Sequence, residues 1–269
     1  MKKTKKILSP AYLALIFLFL YLPIFILIVF SFNSSKSKSV WTGFTFDWYV
    51  QLFHNDYIIS SFINTLILAA ISSIIATILG TLAAIGISAM KKKAKTVILN
   101  LTYLPILNPE IITGVSLMIL FALMKLEPGF FTLLIAHISF SVPYVILNLM
   151  PKLRQLDRSQ YEAALDLGCN QYQAFFKVIL PEIFPGILSG FLMALTYSID
   201  DFVISYFTTG PAMQTLPIAI YSMIRRQISP EINALSTIMF AVVLIILVVM
   251  NVKDIRSSKK RELKYLNNI

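Results

Sequence analysis

Three carboxylates stand where carboxylates are costly: Glu110, Asp200 and Asp201 each fall inside a long apolar run. Lipid cannot hydrate an ionised group, so acids at membrane depth usually mark an ion or substrate route. Acids of this kind attract cations. Glu110 follows Asn108-Pro109, and its plain alternative is a hydrogen bond to a neighbouring helix. Asp200 and Asp201 are adjacent, so on one helix they point about 100° apart. That geometry puts Asp201 on a face with Tyr197, Ser198, Ser205 and Thr208, and Asp200 beside Thr196. The polar Asp201 face reads as the wall of a path, whereas interhelical hydrogen bonding accounts for Asp200 equally well.

Other chemistries are missing their parts. No glycine is followed by lysine, so there is no Walker A loop and the chain cannot bind ATP that way. Neither H-E-x-x-H nor G-x-S-x-G occurs. The two histidines, His54 and His137, are separated by several apolar runs, and His137 reads as a packed core residue. The single cysteine, Cys169, excludes an internal disulfide and the common zinc spacings. The expectation is a chain with no catalytic site, no metal and no cofactor of its own.

The elements that position the acids follow from composition. A chain of 269 residues that is 57% apolar, with mean hydropathy +0.78, has the profile of a multi-pass membrane protein. At about 20 apolar residues per crossing, spans fall near 11–32, 62–89, 97–124, 130–150, 183–209 and 234–252. Six transmembrane helices make an all-α membrane protein with both termini on one side. Of the 23 Lys and Arg residues, eighteen precede span one, follow spans two and four, or lie in the C-terminal tail. The positive-inside rule therefore places the N- and C-termini, and the segment 151–182, in the cytoplasm. The net charge of +10 is thus topology, and nucleic acid is not an expected partner. Lys2 to Lys6 before an apolar run imitate a secretory signal, but that run is about 22 residues long and Asn33-Ser34-Ser35 offers no cleavage site, so it reads as a retained span.

Span three is interrupted at Pro105 and Asn108-Pro109, where Asn108 is expected to cap a restarting helix with Pro109 in its first turn. A backbone broken at that depth is tolerated where protein buries it or where it borders a water-filled cavity. Trp48 lies in an aromatic outer segment, Trp41 to His54, and fits either an interfacial belt or the route wall. Segment 151–182 is the sizeable polar stretch with its own folding signals. Ser159 and Glu162 form a capping box, Gly168 is a stop, Asn170 and Gln173 repeat the start, and the second helix is expected to end before Pro181. Two short helices joined at a glycine make a knob suited to docking, with Ala163 and Ala164 presented on its first helix.

The spacing of that knob is specific. Glu162-Ala163-Ala164, three residues, Gly168, nine residues, Val178, one residue, then Leu180-Pro181 resembles the signature loop of ABC importer permeases. The rest of the chain looks like a permease subunit of spermidine/putrescine ABC importers. The residues that carry this include Trp41-x-Gly43-Phe44-Thr45, Asn108-Pro109-Glu110-Ile111, Ser198-Ile199-Asp200-Asp201, Thr209-Gly210-Pro211 and Leu216-Pro217 with Ile220-Tyr221-Ser222-Met223. The resemblance implies a type I ABC importer permease fold in the bacterial inner membrane. It also implies a second permease subunit as heterodimer partner, a cytoplasmic ATPase dimer that binds ATP, and an extracytoplasmic polyamine-binding protein. Glu162, Ala163, Ala164, Gly168, Val178, Leu180 and Pro181 would then couple to the ATPase. Trp48, Glu110, Tyr197, Asp200 and Asp201 would line the substrate path. The family pattern is expected to carry aspartate at position 110, so the longer Glu110 stem alters the cavity width.

The acids favour a cationic cargo, because an anionic one calls for Arg, Lys or bare helix N-termini, and no Arg or Lys falls within the apolar body of a span. A linear polyamine can bridge separated carboxylates while its methylenes lie against aromatic rings. Two alternatives stand beside this reading: an ABC permease for another cation such as ferric ion, and a passive cation channel.

Overall fold

The computed structural model describes residues 2–36, 40–211, 213–226, 230–242, 244–245 and 248, and of these the side chains from residue 12 onward except those of Arg158 and Arg226. The C-terminal end of the expected span 234–252, the Ser229 start signal and the basic tail beyond Asp254 lie outside the described residues. Among the described residues the chain is helical, with one isolated antiparallel bridge, Asn33 to Phe44. It divides into two units, one drawn from Met1–Asp56 and Ser222–Ile269, the other Tyr57–Tyr221.

The first unit opens with α1, Lys2–Phe30, whose apolar stretch Tyr12–Phe30 is long enough to cross a membrane and is not buried within the chain. A compact turn follows, organised by the buried amide of Asn33. Its Nδ2 donates to Val40 O at 2.8 Å, and its Oδ1 accepts from Thr42 N at 3.0 Å. The rings of Phe32, Phe44, Phe46 and Tyr49 pack beside this turn. Helix α2, Asp47–His54, lays Trp48 and Leu52 inward.

The second unit carries the longer bundle. Helix α3 runs over Asp56–Ala89, α4 over Lys92–Leu107, α5 over Glu110–Leu123 and α6 over Phe130–Gln155. Helix α7 covers Arg158–Asp166, α8 covers Gln171–Ala174, and α9 covers Leu180–Asp200. Helices α10, Val203–Thr208, and α11, Leu216–Arg226, complete the order. Ala84, Ile87, Leu99, Ile146, Leu149, Met150 and Ile183 form the buried cluster where α3, α4, α6 and α9 meet. In lipid the helices gain nothing by leaving water, so contact depends on close approach at small residues. Gly80 on α3 and Gly190 on α9 do this on either side of Val145: an added Cβ would lie 2.6 Å and 3.1 Å from that residue.

Four helical stretches are long and apolar enough to span a membrane: Tyr12–Phe30, Asp56–Ala89, Phe130–Gln155 and Gln171–Asp200. The pair α4 and α5 counts as a fifth if taken as one span, but it is bent by 99°. Two prolines explain the bend. Pro105 lacks the N–H that would reach back along α4, and Pro109 cannot donate to the Pro105 carbonyl. Asn108 does not cap α5 as expected. It closes α4, donating its N–H to Leu104 O at 3.1 Å, and α5 starts after Pro109.

Two other local expectations change. Helix α9 ends at Asp200 and the chain restarts at Val203, so the run 183–209 is a broken helix. Conversely, no helix stops before Pro181. A wide π turn over Phe175–Ile179 joins α8 to α9, with Leu180 N bonded back five residues to Phe175 O. Pro181 falls in the first turn of α9, directly after the π turn, where a missing N–H is tolerated, and the helix continues.

Candidate functional site

The breaks at Asn108-Pro109 and Asp201-Phe202 come together. Helix α5 packs along α10, with Gly114 as the contact: an added Cβ there would lie 2.9 Å from Phe207 Cδ2 and 3.4 Å from Ile204 Cα. A cavity of about 390 Å³ opens at their N-terminal ends, within the size range of small-molecule sites. Pro105, Ile106, Asn108, Pro109, Glu110 and Thr113 line it from the first break. Tyr197, Asp200, Asp201, Phe202, Val203 and Ile204 line it from the second, and Phe140 and Tyr144 close it from α6.

Four of the five residues assigned to a path from sequence, Glu110, Tyr197, Asp200 and Asp201, thus share one cavity. Trp48 belongs to the first unit. Its ring is 6% exposed, and Nε1 donates to Asn33 O at 2.6 Å, so it serves the turn there. Glu110 and Asp200 are solvent-exposed, but Asp201 is not: its side chain is 6% exposed. Asp201 Oδ1 accepts from Ile204 N at 3.2 Å, and Oδ2 accepts from both Ser205 N and Ser205 Oγ at 2.7 Å. This is helix capping, with both oxygens committed. The expected continuous face through Tyr197, Asp201 and Ser205 does not exist, because Asp201 has left the helix to cap the next one.

The rest of the wall suits positive charge. The final turn of α4 and the end of α9 bring carbonyls that have no intrahelical donor, the negative end of each helix dipole. Tyr144 stacks on Tyr197 at 4.3 Å, interplanar angle 27°. Sequence reasoning missed Tyr144 and Phe140; the pattern Pro143-Tyr144 inside an apolar run was the available signal. His137 is fully buried, as expected of a core residue, but it is also the centre of a polar cluster with Ser198 and Ser205.

The elbow at 156–174 is the second candidate. Asp157, not Ser159, caps α7, its carboxylate accepting from Ser159 N at 2.9 Å. That bond holds the Asp157 carboxyl below the ordinary carboxylate range. Gly168 has φ +88°, and the bonds Gly168 N to Leu165 O and Cys169 N to Ala164 O form a Schellman stop. Asn170 and Gln173 make the expected reciprocal capping box. Glu162 and Ala163 face solvent, but Ala164 turns inward. Leu167 and Tyr172, 87% and 79% exposed, are the apolar groups presented instead. Val178 and Leu180 are half-buried and Pro181 is exposed at the foot of α9.

Comparison with known proteins gives the context. Residues 76–259 match the family described as binding-protein-dependent transport system inner membrane component. The spermidine/putrescine transport system permease protein PotC of Escherichia coli strain K12 is 36% identical over 208 residues, 77% of this chain and 79% of that protein. The putrescine transport system permease protein PotI of the same strain is 38% identical over 212 residues, 76% of this chain and 75% of that one. Among solved structures, a bacterial ABC transporter that imports the acidic polysaccharide alginate superposes with a TM-score of 0.69 at 14% identity, over 93% of this chain and 95% of its own. That likeness shows the fold.

Proposed function

The chain belongs to the binding-protein-dependent transport system inner membrane components, and on that premise we propose that it is a permease subunit of an ATP-driven polyamine importer. The single observation that carries the cargo is the cavity where Glu110, Asp200 and Asp201 meet two helix C-terminal ends and a stacked tyrosine pair. Carboxylates and unpaired carbonyls bind ammonium groups, and tyrosine faces accept them by cation–π contact. The identity to PotC and PotI points to the same cargo class.

In this reading the chain crosses the inner membrane six times with both termini in the cytoplasm, as one transmembrane permease domain over 1–269. It pairs with a second permease subunit and receives cargo from an extracytoplasmic polyamine-binding protein. The elbow built on Glu162, Ala163, Ala164 and Gly168, with Val178, Leu180 and Pro181 at its base, seats in a cytoplasmic ATPase dimer. ATP binds there, and closure of that dimer biases the permease between inward-open and outward-open states. Helix-in-groove docking fits the exposed Leu167 and Tyr172 beside Ala163. Ferric ion is the weaker cargo, since it favours several convergent oxygen ligands. Among the described residues no three His, Cys, Asp or Glu side chains converge in that way.

The test is uptake of labelled spermidine and putrescine by the complete complex in proteoliposomes. Glu110→Gln and Asp200→Asn are each expected to lower uptake about tenfold, the size expected for one lost charge-assisted bond. Unchanged polyamine uptake in the double variant, or import of ferric ion in place of polyamine, would overturn the reading.

A further inference from the structure

His137 lies fully buried on α6 and reaches residues of two other helices. Its Nδ1 is 2.7 Å from Ser198 Oγ on α9, and its Nε2 is 2.9 Å from Ser205 Oγ on α10 and 3.5 Å from Asp201 Oδ2. Ser198 Oγ is in turn 3.0 Å from Ser72 Oγ on α3. Counting protons orders this cluster. Ser205 has one hydroxyl proton and gives it to Asp201 Oδ2, so its oxygen can only accept from His137, and Nε2 carries the ring proton. Nδ1 is then bare and accepts the hydroxyl proton of Ser198. Ser198 in turn accepts from Ser72, whose other acceptor, Ala69 O, is more distant at 3.3 Å. The donors run one way, from Ser72 through Ser198, His137 and Ser205 to the Asp201 carboxylate.

This path joins the parts that set the cavity. Asp201 caps α10, α10 packs on α5 across Gly114, and Glu110 is the first residue of α5. We propose that His137 is a positioning residue for cargo transfer: through Ser205 and Asp201 it fixes the break between α9 and α10, and so sets where Asp200 and Glu110 stand in the cavity. An imidazole suits the position because it accepts on one side and donates on the other. A group that only fills the space leaves Ser198 and Ser205 facing each other across an apolar gap, with buried polar atoms unsatisfied. The proposal rests on reading the cavity as the cargo route.

Two variants separate a relay from a packed core residue. His137→Leu fills the volume without polar atoms, and His137→Gln offers one acceptor and one donor. In the complete complex in lipid nanodiscs, amide hydrogen exchange at Ile204 and Ser205, the two N–H groups that Asp201 caps, is expected to quicken about tenfold in His137→Leu and less than about threefold in His137→Gln. Labelled spermidine uptake in proteoliposomes is expected to fall in the same order. Leu performing as well as or better than Gln in both measurements overturns the proposal, since a core position prefers the apolar residue. If the wild-type complex imports no spermidine while the exchange order holds, the His137 assignment is supported and the cargo reading fails. Should His137→Leu not assemble, Ser198→Ala replaces it. About threefold faster exchange at the same two amides is expected, and no change overturns the proposal.

Discussion

Asp200 and Asp201 are neighbours in sequence and opposites in use. Asp200 ends α9 with its carboxylate open to the cavity, while Asp201 spends both oxygens on the amides and hydroxyl that begin α10. An isosteric amide therefore means different things at the two positions. At Asp200 it removes charge from the wall and leaves the backbone alone. At Asp201 it turns an acceptor into a donor against Ile204 N–H or Ser205 N–H, a buried mismatch that costs about 1–3 kcal/mol. Asp201→Asn is accordingly expected to lower both the melting temperature and the uptake of the complex, whereas Asp47→Asn, on an exposed helix start, is expected to leave both nearly unchanged. Equal, mild effects in thermal melts and uptake assays would remove Asp201 from the cavity architecture.

At the scale of elements, two glycines carry geometry that a side chain opposes. Gly168 holds φ +88° at the Schellman stop that turns α7 toward α8. A Cβ meets nothing there but is strained by the backbone itself, by about 1 kcal/mol. Gly168→Val should leave the bundle folded, loosen the elbow and uncouple ATP hydrolysis from uptake; coupled transport at the normal ratio would show that the elbow tolerates a different turn. Gly114 is constrained by space instead. Gly114→Leu should force α5 from α10 and disable uptake, and, on the proposed docking of an ATPase at the elbow, co-purification of that ATPase should persist. The α7 cap adds a pH dependence. Asp157 titrates below its ordinary value because Ser159 N–H stabilises the charged form, so its cap is present above that ordinary value and is lost as pH falls through the depressed one. Helix exchange at α7 should therefore rise only in acid, and an Asp157→Asn variant should show no such rise.

At the scale of the molecule, the whole sequence contains no Walker A loop, and the function proposed above assigns the energy source to a partner. The purified chain alone in liposomes is expected neither to hydrolyse ATP nor to conduct spermidine, and conduction without ATP would favour the passive channel. Much of this architecture was legible in the order of residues. Apolar run length marked the four helices long enough to cross a membrane, Pro105 and Pro109 marked a break, and the spacing from Glu162 to Pro181 marked the elbow, because each depends on local backbone chemistry that neighbours in sequence dictate. The acids at 110, 200 and 201 were legible too, since an ionisable group in an oily run is conspicuous wherever it points. What sequence could not decide was which of two adjacent aspartates would leave the helix. A cap competes with a continued turn at nearly equal free energy, and it was Ser205, His137 and the helix behind them that tipped the balance. The π turn before Pro181, the inward Ala164 and the meeting of two distant breaks across Gly114 have the same origin. Each is a choice among locally similar conformations, and only contacts between residues far apart in the chain make that choice.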